Sequence, residues 1–468
     1  MPPGSDNPRH LLRDLGLVVA RKGGELRHRG HHNSKIAEEG AGGGLVSGLL
    51  FDYKIIVETM IEGAMTKKAS VKDVRRRNRA LILRHVLLNG PTSRSEVGAA
   101  TGLSPATVTN VMNELIAEGS VQEGGYLDSE GGRRRAIVAI AADAALVVGA
   151  DVGETCIRVE VFNLGLTRLA TRKYPIKGRR IDVAEAGSAI AAQVVSMLSE
   201  LGVDRSRVLG LGVGVPGIVE ELAIGGPVVH AEVVGWHEVD FAGFVEELGV
   251  PVFIDNGAKS TTQAEFWYGS ARAVEHAVMV LVGEGAGAGI ITDGQLYRGS
   301  SSSAGEWGHT KISLDGPHCR CGSSGCVETF VGASALLDQW RGPDETWLGR
   351  ETEGVEAILR AWRAGDPAAQ RAIEALVRHL GLALSNLVNL YNPQKIIVGG
   401  WFGDRIASEL LPELRATVRH YSLDQPGGEV VVEQSLLGPE AVALGAATLP
   451  ISHFIESGSG RERLSPVA

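Results

Sequence analysis

Three of the four cysteines of this 468-residue chain lie within eight residues of one another. Cys319, Cys321 and Cys326 follow His309 in the segment 305–328, whose sequence is GEWGHTKISLDGPHCRCGSSGCVE. One imidazole and three thiolates are the ligand set of a closed tetrahedral zinc site. Because four protein ligands fill every coordination position, the metal is expected to be structural and to leave no place for an activating water. The loop should therefore fold around a zinc ion.

The sequence leaves two alternatives to this ligand set open. His318 is a competing fourth ligand, but its place directly before Cys319 makes the geometry cramped, so His309 is preferred. The other alternative is free buried cysteines, although three thiols at this spacing beside a histidine rarely arise for packing alone. Four cysteines are also too few for a disulfide scaffold in a chain of this size. Their clustering indicates a reducing compartment and predicts a cytoplasmic protein.

Composition and charge exclude several classes of protein. Hydrophobic residues make up 44% of the chain, yet no window reaches the ~18 uninterrupted apolar residues that span a bilayer. Arg13 and Asp14 interrupt the apolar N-terminal stretch, so neither a membrane protein nor a secreted protein is expected. The net charge is −9, but residues 65–140 carry +5 and residues 141–468 carry −14. A small basic module precedes a large acidic one, so any contact with nucleic acid should be local.

Residues 65–140 have the pattern of a winged helix-turn-helix domain. A first helix starts at Val71 and has an arginine-rich face that includes Arg79. A short second helix with a capping box and a third helix capped by Ser104 follow it. The first helix is expected to bury Val74, Leu81, Leu83, Val86 and Leu87. The third helix is expected to bury Val108, Val111, Met112 and Leu115.

Two strands around the loop 128–135, sequence DSEGGRRR, complete the predicted wing. Taken alone, the arginine run would be a solvated face, but its position after such a helix favours DNA contact. The residues expected to contact DNA lie on the third helix and in this loop: Ser104, Ala106, Thr107, Thr109, Asn110, Arg133, Arg134 and Arg135.

Residues 144–450 alternate short Val- and Ile-rich strands with helical stretches, which predicts an α/β domain with a central sheet. The segment 145–165 runs strand, glycine bend, strand, and the segment 278–297 repeats that order. Two such hairpins suit a duplicated fold that holds nucleotide phosphates between its halves, because glycine lets backbone N–H groups approach closely. For either segment alone, a plain hairpin turn is the alternative. The candidate phosphate-loop residues are Asp151, Gly153, Thr155, Gly283, Gly285 and Gly287.

The two ends of the chain carry no recognisable fold signal. Residues 1–64 mix His and Gly clusters without a sustained period. They are expected to be a disordered extension, or to precede a true start at Met60 or Met65. Residues 451–468 have the composition of a flexible tail.

These motifs together resemble the ROK family, named for repressors, open reading frames and sugar kinases. The resemblance covers roughly residues 70–450 and rests on the winged helix, the motifs DVGET, GVGVPGIV and IIVGG, and above all the zinc segment. It implies a bilobal, actin-like (RNase H-like) sugar-kinase fold with a sugar pocket between the lobes, and a homodimer or homotetramer. It also implies sugar-contacting positions at Asn256, Glu306, His309 and Glu328, with Asp255 grouped beside Asn256. His309 would then bind zinc through one ring nitrogen and face the sugar with the other.

The chain departs from the kinases of this family where phosphoryl transfer needs specific groups. Kinases carry an aspartate base directly after the sugar-binding asparagine, whereas Gly257 follows Asn256 here. Asp255 precedes Asn256, and strand alternation should point its side chain to the opposite face. Glu154 and Glu284 replace a glycine and a threonine in the two phosphate loops, where a carboxylate would repel a triphosphate unless it points to solvent. No catalytic residue is therefore expected.

The leading hypothesis is a transcription regulator, more specifically a repressor of carbohydrate uptake or catabolism genes. It would bind a double-stranded DNA operator, sense a sugar or sugar derivative, and couple the two modules through the linker 141–146. The alternative is an ATP-dependent hexose kinase fused to a DNA-binding domain. A third possibility is a regulator that responds to a protein or a phosphorylated metabolite, because Lys259 replaces an asparagine near the sugar hydroxyls.

Overall fold

The computed structural model describes residues 70–127, 135–178, 180–220, 226–231, 233–342, 347 and 349–457. The predicted extension 1–64 and the tip of the arginine loop lie outside these residues. These described residues form one compact unit. Among the described helices, none combines the length and the hydropathy that a membrane crossing requires.

Three helices and a small sheet come first. The helices are α1 (Val71–Asn89), α2 (Arg94–Thr101) and α3 (Pro105–Ala117). The strands are β1 (Thr92–Ser93), β2 (Val121–Leu127) and β3 (Arg135–Ile140). They pair antiparallel in the order β1-β3-β2. Capping boxes open α1 and α2, and the Ser104 hydroxyl caps α3. This order of elements is that of a winged helix-turn-helix domain.

The buried face of α1 differs from the predicted one. Ile82 is buried, whereas Val74 and Leu81 are exposed. Arg79, which was expected on the solvent face, is buried and pairs with Glu118 directly after α3. The prediction for these positions was wrong because the ion pair lets the arginine lie inside, where it ties α1 to the end of α3. The predicted stripe of α3 is confirmed, since its four members are buried: Val108, Val111, Met112 and Leu115.

Two five-stranded sheets with the same topology form the body. The first lobe contains β4 (Leu146–Val152), β5 (Cys156–Asn163), β6 (Arg168–Pro175), β7 (Val208–Val215) and β11 (Val252–Asn256), in the order β11-β7-β4-β5-β6. The second lobe contains β12 (Ala277–Val282), β13 (Ala286–Thr292), β14 (Gln295–Leu296), β15 (Lys395–Gly399) and β16 (Val431–Gln434), in the order β14-β13-β12-β15-β16. A small sheet beside the first lobe contains β8 (Ile218–Glu220), β9 (Val228–Ala231) and β10 (Trp236–Val239).

In each five-stranded sheet, three strands in an antiparallel meander come first and two parallel strands follow. The duplication that the two glycine-bend hairpins predicted is therefore present in the whole topology of both lobes.

Helices cover the sheets. The first lobe carries α4 (Val183–Glu200). The second lobe carries α6 (Glu328–Val331), α7 (Ala333–Arg341), α8 (Glu351–Arg363), α9 (Pro367–Tyr391), α10 (Trp401–Tyr421) and α11 (Asp424–Glu429). Two central helices, α5 (Gly257–Tyr268) and α12 (Ala441–Ser457), pack on the sheets and on each other. The flexible tail predicted from residue 451 is wrong for 451–457, because Ile451, Phe454 and Ile455 are buried.

The two central helices approach the sheets closely. A side chain at Gly212 of β7 would overlap the carbonyl oxygen of Ala446 in α12. A side chain at Gly289 of β13 would overlap the hydroxyl of Thr262 in α5. Glycine at these two positions therefore lets β7 pack against the backbone of α12 and lets β13 pack against a side chain of α5.

The winged helix shares a hydrophobic core with the body. Ile82 and Val86 of α1 belong to the same buried cluster as Phe454 of α12 and Trp267 of α5. Arg272, just after α5, donates to the carbonyl oxygen of Leu88 near the end of α1. The linker between the modules contains a short 3-10 helix, Ala142–Ala144. Direct apolar contacts, and not the linker alone, therefore join the two modules.

Candidate functional site

Four potential metal ligands converge in the second lobe. Ligand atoms of His309, Cys319, Cys321 and Cys326 all lie within 4.8 Å of one another. The sulfur atoms of Cys321 and Cys326 are 3.7 Å apart, and the Cys319 sulfur is 3.7 Å from Nδ1 of His309. Zinc–sulfur bonds of about 2.3 Å in a tetrahedron hold two sulfur atoms roughly 3.8 Å apart. The donor set and its spacing therefore fit a tetrahedral zinc, and His318 is not a member of the group.

The loop that carries these ligands is held by its own backbone. The Cys319 N–H donates to the Ser323 carbonyl at 2.7 Å, and the Gly322 N–H donates to the Cys319 carbonyl at 2.9 Å. The Lys311 ammonium lies 2.7 Å from the Cys326 sulfur. This contact places a positive charge beside one of the four candidate ligands.

Glu328, the first residue of α6, is held by an arginine of the same loop. Arg320 donates from Nε to Oε1 at 2.9 Å and from Nη2 to Oε2 at 3.1 Å, and the backbone N–H of Ala286 donates to Oε2 at 3.2 Å. Burial opposes ionisation of Glu328, but the hydrogen bonds and charge of Arg320 outweigh it and lower the pKa of this carboxyl. The third nitrogen of the guanidinium, Nη1, donates to Oε1 of Glu154 at 3.0 Å.

Glu306 and His309 lie at the two ends of one 3-10 turn, Trp307–His309. The indole N–H of Trp307 donates to the Ala383 carbonyl of α9 at 3.2 Å, which fixes the turn against the core. Burial raises the pKa of Glu306, while the positive charges of Lys259 and His309 oppose that rise.

Glu306 also lines a cavity of about 440 Å³ next to β13 and α9. Asn256, His309 and Glu328 are not among the residues that line it. This cavity therefore does not contain all of the predicted sugar contacts.

Asn256 ends β11 and caps α5. Its Oδ1 accepts the backbone N–H groups of Ala258 at 2.9 Å and Lys259 at 3.2 Å, and its Nδ2 donates to the Gly217 carbonyl at 2.7 Å. The predicted sugar-binding amide thus also organises the start of α5.

The position of the missing base is the first residue of α5, Gly257. The preceding Asp255 is buried, lies 2.6 Å from Nη2 of Arg298 and accepts the backbone N–H of Asn256 at 2.8 Å. The Asp255 carboxylate is therefore already engaged by a guanidinium and a backbone N–H. A Cβ at position 257 would meet Val442 at 3.4 Å, which is an ordinary contact, so the backbone leaves room for a side chain there.

Lys259 lies in the first turn of α5 and is 1% exposed. Its ammonium donates to the Ser302 carbonyl. Burial lowers the pKa of Lys259, while the negative charges of Asp255 and Glu306 oppose that shift. The lysine therefore lies among carboxylates, which compensate its charge.

The two candidate phosphate loops are the β4–β5 bend and the β12–β13 bend. Gly153 and Thr155 lie in the first bend, and Asp151 lies near the end of β4 before it. Gly283 and Gly285 lie in the second bend, and Gly287 lies near the start of β13 after it. The sequence left open that Glu154 and Glu284 point freely to solvent, but neither side chain does. The Glu154 side chain is 14% exposed and pairs with Arg320, and Glu284 accepts the Ser334 hydroxyl of α7 at 2.5 Å. Burial raises the pKa of Asp151 to about 7, with the Arg158 charge opposing the shift.

The predicted DNA-contacting residues of α3 lie on its outer face. Four are exposed or partly exposed: Ala106, Thr107, Thr109 and Asn110. The Ser104 hydroxyl accepts the Thr107 N–H at 3.2 Å. Arg133 and Arg134 lie outside the described residues, and only the backbone of Arg135 is described.

Sequence reasoning missed Arg320 and Arg298. Each pairs with a carboxylate that was predicted to contact sugar, Glu328 and Asp255 respectively. The position of Arg320 between two metal-ligand cysteines was a usable signal, because a bound metal would fix its backbone. Nothing in the local sequence marks Arg298.

The model of the ROK family matches residues 147–452, so the chain belongs to the ROK family. Its fold is the bilobal, actin-like sugar-kinase fold, here preceded by a winged helix-turn-helix. A putative xylose repressor of Caldicellulosiruptor sp. (strain Rt8B.4) is 33% identical over 407 residues, which cover 84% of this chain and 98% of that relative. The DNA-binding transcriptional dual regulator NagC of Escherichia coli (strain K12) is 28% identical over 375 residues, covering 78% and 90%.

Two solved structures extend this comparison. A ROK family transcriptional regulator, a homolog of the E. coli MLC protein, has a TM-score of 0.68 at 26% identity and covers 82% of this chain and 97% of its own. A ROK family glucokinase from Streptomyces griseus, in complex with glucose and AMPPNP, has a TM-score of 0.55 at 26% identity and covers 65% and 99%. The regulator thus matches more of this chain than the kinase does.

Proposed function

We propose that this protein is a DNA-binding transcription regulator that represses carbohydrate uptake or catabolism genes. The observation that carries the proposal is the union of a winged helix and a kinase-like body whose base position is Gly257. Relatives named as repressors match the chain over most of its length, which supports the same role. The outer face of α3 and the arginine loop would contact a double-stranded operator, and a sugar or sugar derivative would be the effector.

The proposed effector site contains Asp255, Asn256, Glu306, His309 and Glu328. Carboxylates and an amide are the groups that pair with sugar hydroxyls. The contacts of Lys259 with Ser302, and its nearness to Asp255 and Glu306, favour a neutral sugar over a phosphorylated metabolite.

Zn²⁺ is the proposed structural cofactor, held by His309, Cys319, Cys321 and Cys326. Bound there, it would stabilise the loop 305–328 and with it the positions of Glu306 and Glu328. Elemental analysis of the purified protein should give one zinc per chain, and a metal-free protein with an unchanged effector response would contradict this role.

The protein is proposed to act as a homodimer or homotetramer in the cytoplasm, because operators with repeated half-sites are bound by symmetric oligomers. Sedimentation velocity would identify the assembly, and a monomer on operator DNA would contradict it.

The competing function is an ATP-dependent sugar kinase. Gly257 offers no base, and Glu154 and Glu284 carry negative charge at the two bends where phosphates would bind. A coupled ADP-release assay with a hexose panel should give no turnover, whereas turnover of about 10 s⁻¹ would overturn the regulator proposal. Gly257→Asp restores a carboxylate where the backbone has room. It is expected to stay inactive, because Arg320 and Glu154 still lie between the bends.

Two measurements test the regulator directly. Selection from a random double-stranded DNA library should recover a repeated half-site. Calorimetric titration with pentoses, hexoses and their phosphates, with and without ATP, should give binding of one neutral sugar and none of ATP. Recovery of no DNA sequence would contradict the proposed function, whatever the sugars do.

A further inference from the structure

The Arg320 side chain lies against both glycine bends. A side chain at Gly285 of the β12–β13 bend would overlap Nη2 of Arg320. The guanidinium therefore rests on the backbone of the second bend. From the same group, Nη1 reaches Oε1 of Glu154 in the β4–β5 bend at 3.0 Å. One side chain thus contacts both candidate phosphate loops.

The contacts of Arg320 connect the two lobes. Glu154 belongs to the first lobe, whereas Arg320 and Glu328 belong to the second. Glu328 is fixed by both its arginine contacts and by the Ala286 N–H at the start of β13. A planar guanidinium that binds one carboxylate with two nitrogens and another with its third is held in one orientation.

Partial burial makes these contacts stronger than a surface ion pair. The side chains of Glu328, Glu154 and Arg320 are 8%, 14% and 35% exposed. Partly desolvated ion pairs are screened less than exposed ones, and removing one partner leaves the others with unpaired charge. The group also contains two carboxylates and one guanidinium, so its net charge is negative and it repels phosphates.

We propose that Arg320 is an interlobe clamp that joins the two glycine bends, where a nucleotide would bridge them in a kinase. The role of this clamp in effector binding rests on the proposed function, whereas the experiment that tests the clamp does not. While the clamp is closed, Glu328 is engaged by the guanidinium, so a sugar that pairs with Glu328 must displace Arg320 and thereby release Glu154. Arg320 is a positioning residue that selects for an uncharged polyol over a nucleotide or sugar phosphate.

The decisive variant is Glu154→Gln, which removes the carboxylate charge on the first lobe and leaves the sequence of the loop 305–328 unchanged. Hydrogen–deuterium exchange of the ligand-free full chain is measured at the peptides covering 153–156 and 284–287. Both peptides should exchange faster by roughly three- to thirtyfold, the range that couplings between contacting charged residues produce. Acceleration at 284–287 is the critical signal, because that peptide lies in the other lobe.

The matched control is Glu353→Gln, the same chemical change at a carboxylate that pairs with Arg350 on the surface of α8. It should leave both peptides unchanged. Arg320→Gln, accepted only when its zinc content equals that of the wild type, should accelerate both peptides, and Glu154→Gln in that background should add nothing further.

Acceleration confined to 153–156, or additive effects of the two substitutions, would overturn the clamp. Neither outcome bears on DNA selection, so failure of the clamp and failure of the proposed function remain distinguishable. If a sugar is found by the calorimetric panel, Glu154→Gln should bind it more tightly than the wild type, and weaker binding would also count against the clamp.

Discussion

The β4–β5 bend and the β12–β13 bend occupy the same place in two sheets of the same topology, yet their glutamates have different partners. Glu284 accepts the Ser334 hydroxyl inside its own lobe, whereas Glu154 reaches Arg320 of the other lobe. The difference arises from the loop 305–328, which carries Arg320 and belongs to the second lobe alone. Duplication of the backbone therefore fixed where the bends lie, while a loop outside the duplicated strands determined what they bind.

The largest expected effect comes from breaking the loop that creates this difference. Cys319→Ala should abolish zinc binding, accelerate exchange throughout 305–328 and at the second bend, and eliminate the sugar response, because structural zinc contributes on the order of 10 kcal/mol to the folding of small zinc sites. Cys156→Ala, at the first bend and outside the metal group, is the control and should keep its zinc. Elemental analysis and hydrogen exchange measure both. A fully zinc-loaded Cys319→Ala protein with a normal response would refute the expected role of the loop.

The second-largest effect is expected where each sheet packs on a central helix, and its size should differ between the two sheets. Gly212→Ala sets a methyl group against the helix backbone at Ala446, which cannot move alone, so the free energy of unfolding should fall by about 3 kcal/mol. Gly289→Ala meets the Thr262 side chain, which can adjust, and should cost about 1 kcal/mol. Urea denaturation of both variants tests this, and equal losses would mean that the two helix–sheet contacts are equally rigid.

Asp151, near the end of the strand that leads into the first bend, should also make stability depend on pH. Burial raises the pKa of Asp151 from 3.8 to about 7, so the folded protein keeps a proton that the unfolded chain has already lost. This stabilisation is complete below the unfolded pKa and is lost as pH rises through the folded pKa. The free energy of unfolding should therefore fall by on the order of 2 kcal/mol between about pH 5 and 8.

Asp151→Asn should flatten this dependence in urea titrations at several pH values. Asp293→Asn changes an exposed acid of the second lobe and should keep the wild-type slope. An unchanged slope in Asp151→Asn would mean that other groups control the pH response.

The smallest effect is expected at the second bend itself. Ser334→Ala removes the hydroxyl that Glu284 accepts and should lower the free energy of unfolding by about 1 kcal/mol. Exchange at 153–156 should not change, because this contact lies within one lobe. Faster exchange at the first bend would erase the distinction between the two glutamates.

The sequence predicted the fold well because the relevant signals are local and periodic. Each capping serine directly precedes the helix that it caps, the buried stripe of α3 spans about two helical turns, and the two hairpins repeat as continuous segments. The close spacing of Cys319, Cys321 and Cys326 likewise allowed the metal ligands to be predicted before their convergence was visible. These signals require no knowledge of distant contacts.

The rest depended on pairs far apart in the chain. Arg79 meets Glu118 across 39 residues, and Arg320 meets Glu154 across 166 residues. No spacing rule connects such positions, so Arg79 was expected at the surface and Glu154 in solvent or against a nucleotide. The burial of Ile451 and Phe454 was missed for the same reason, because it depends on contact of the end of α12 with α1 and the first lobe.

The hydrophobic core that α1 shares with α12 and α5 bears on operator geometry. The helix proposed to read DNA, α3, packs on α1, and α1 in turn packs against the body. Two copies in an oligomer would therefore present their α3 helices at a fixed separation. One inserted base pair moves a half-site by about 3.4 Å and turns it by roughly 35° around the duplex axis. An operator lengthened by a single base pair should therefore lose most of its affinity, whereas a full-turn insertion would restore the phase but not the distance.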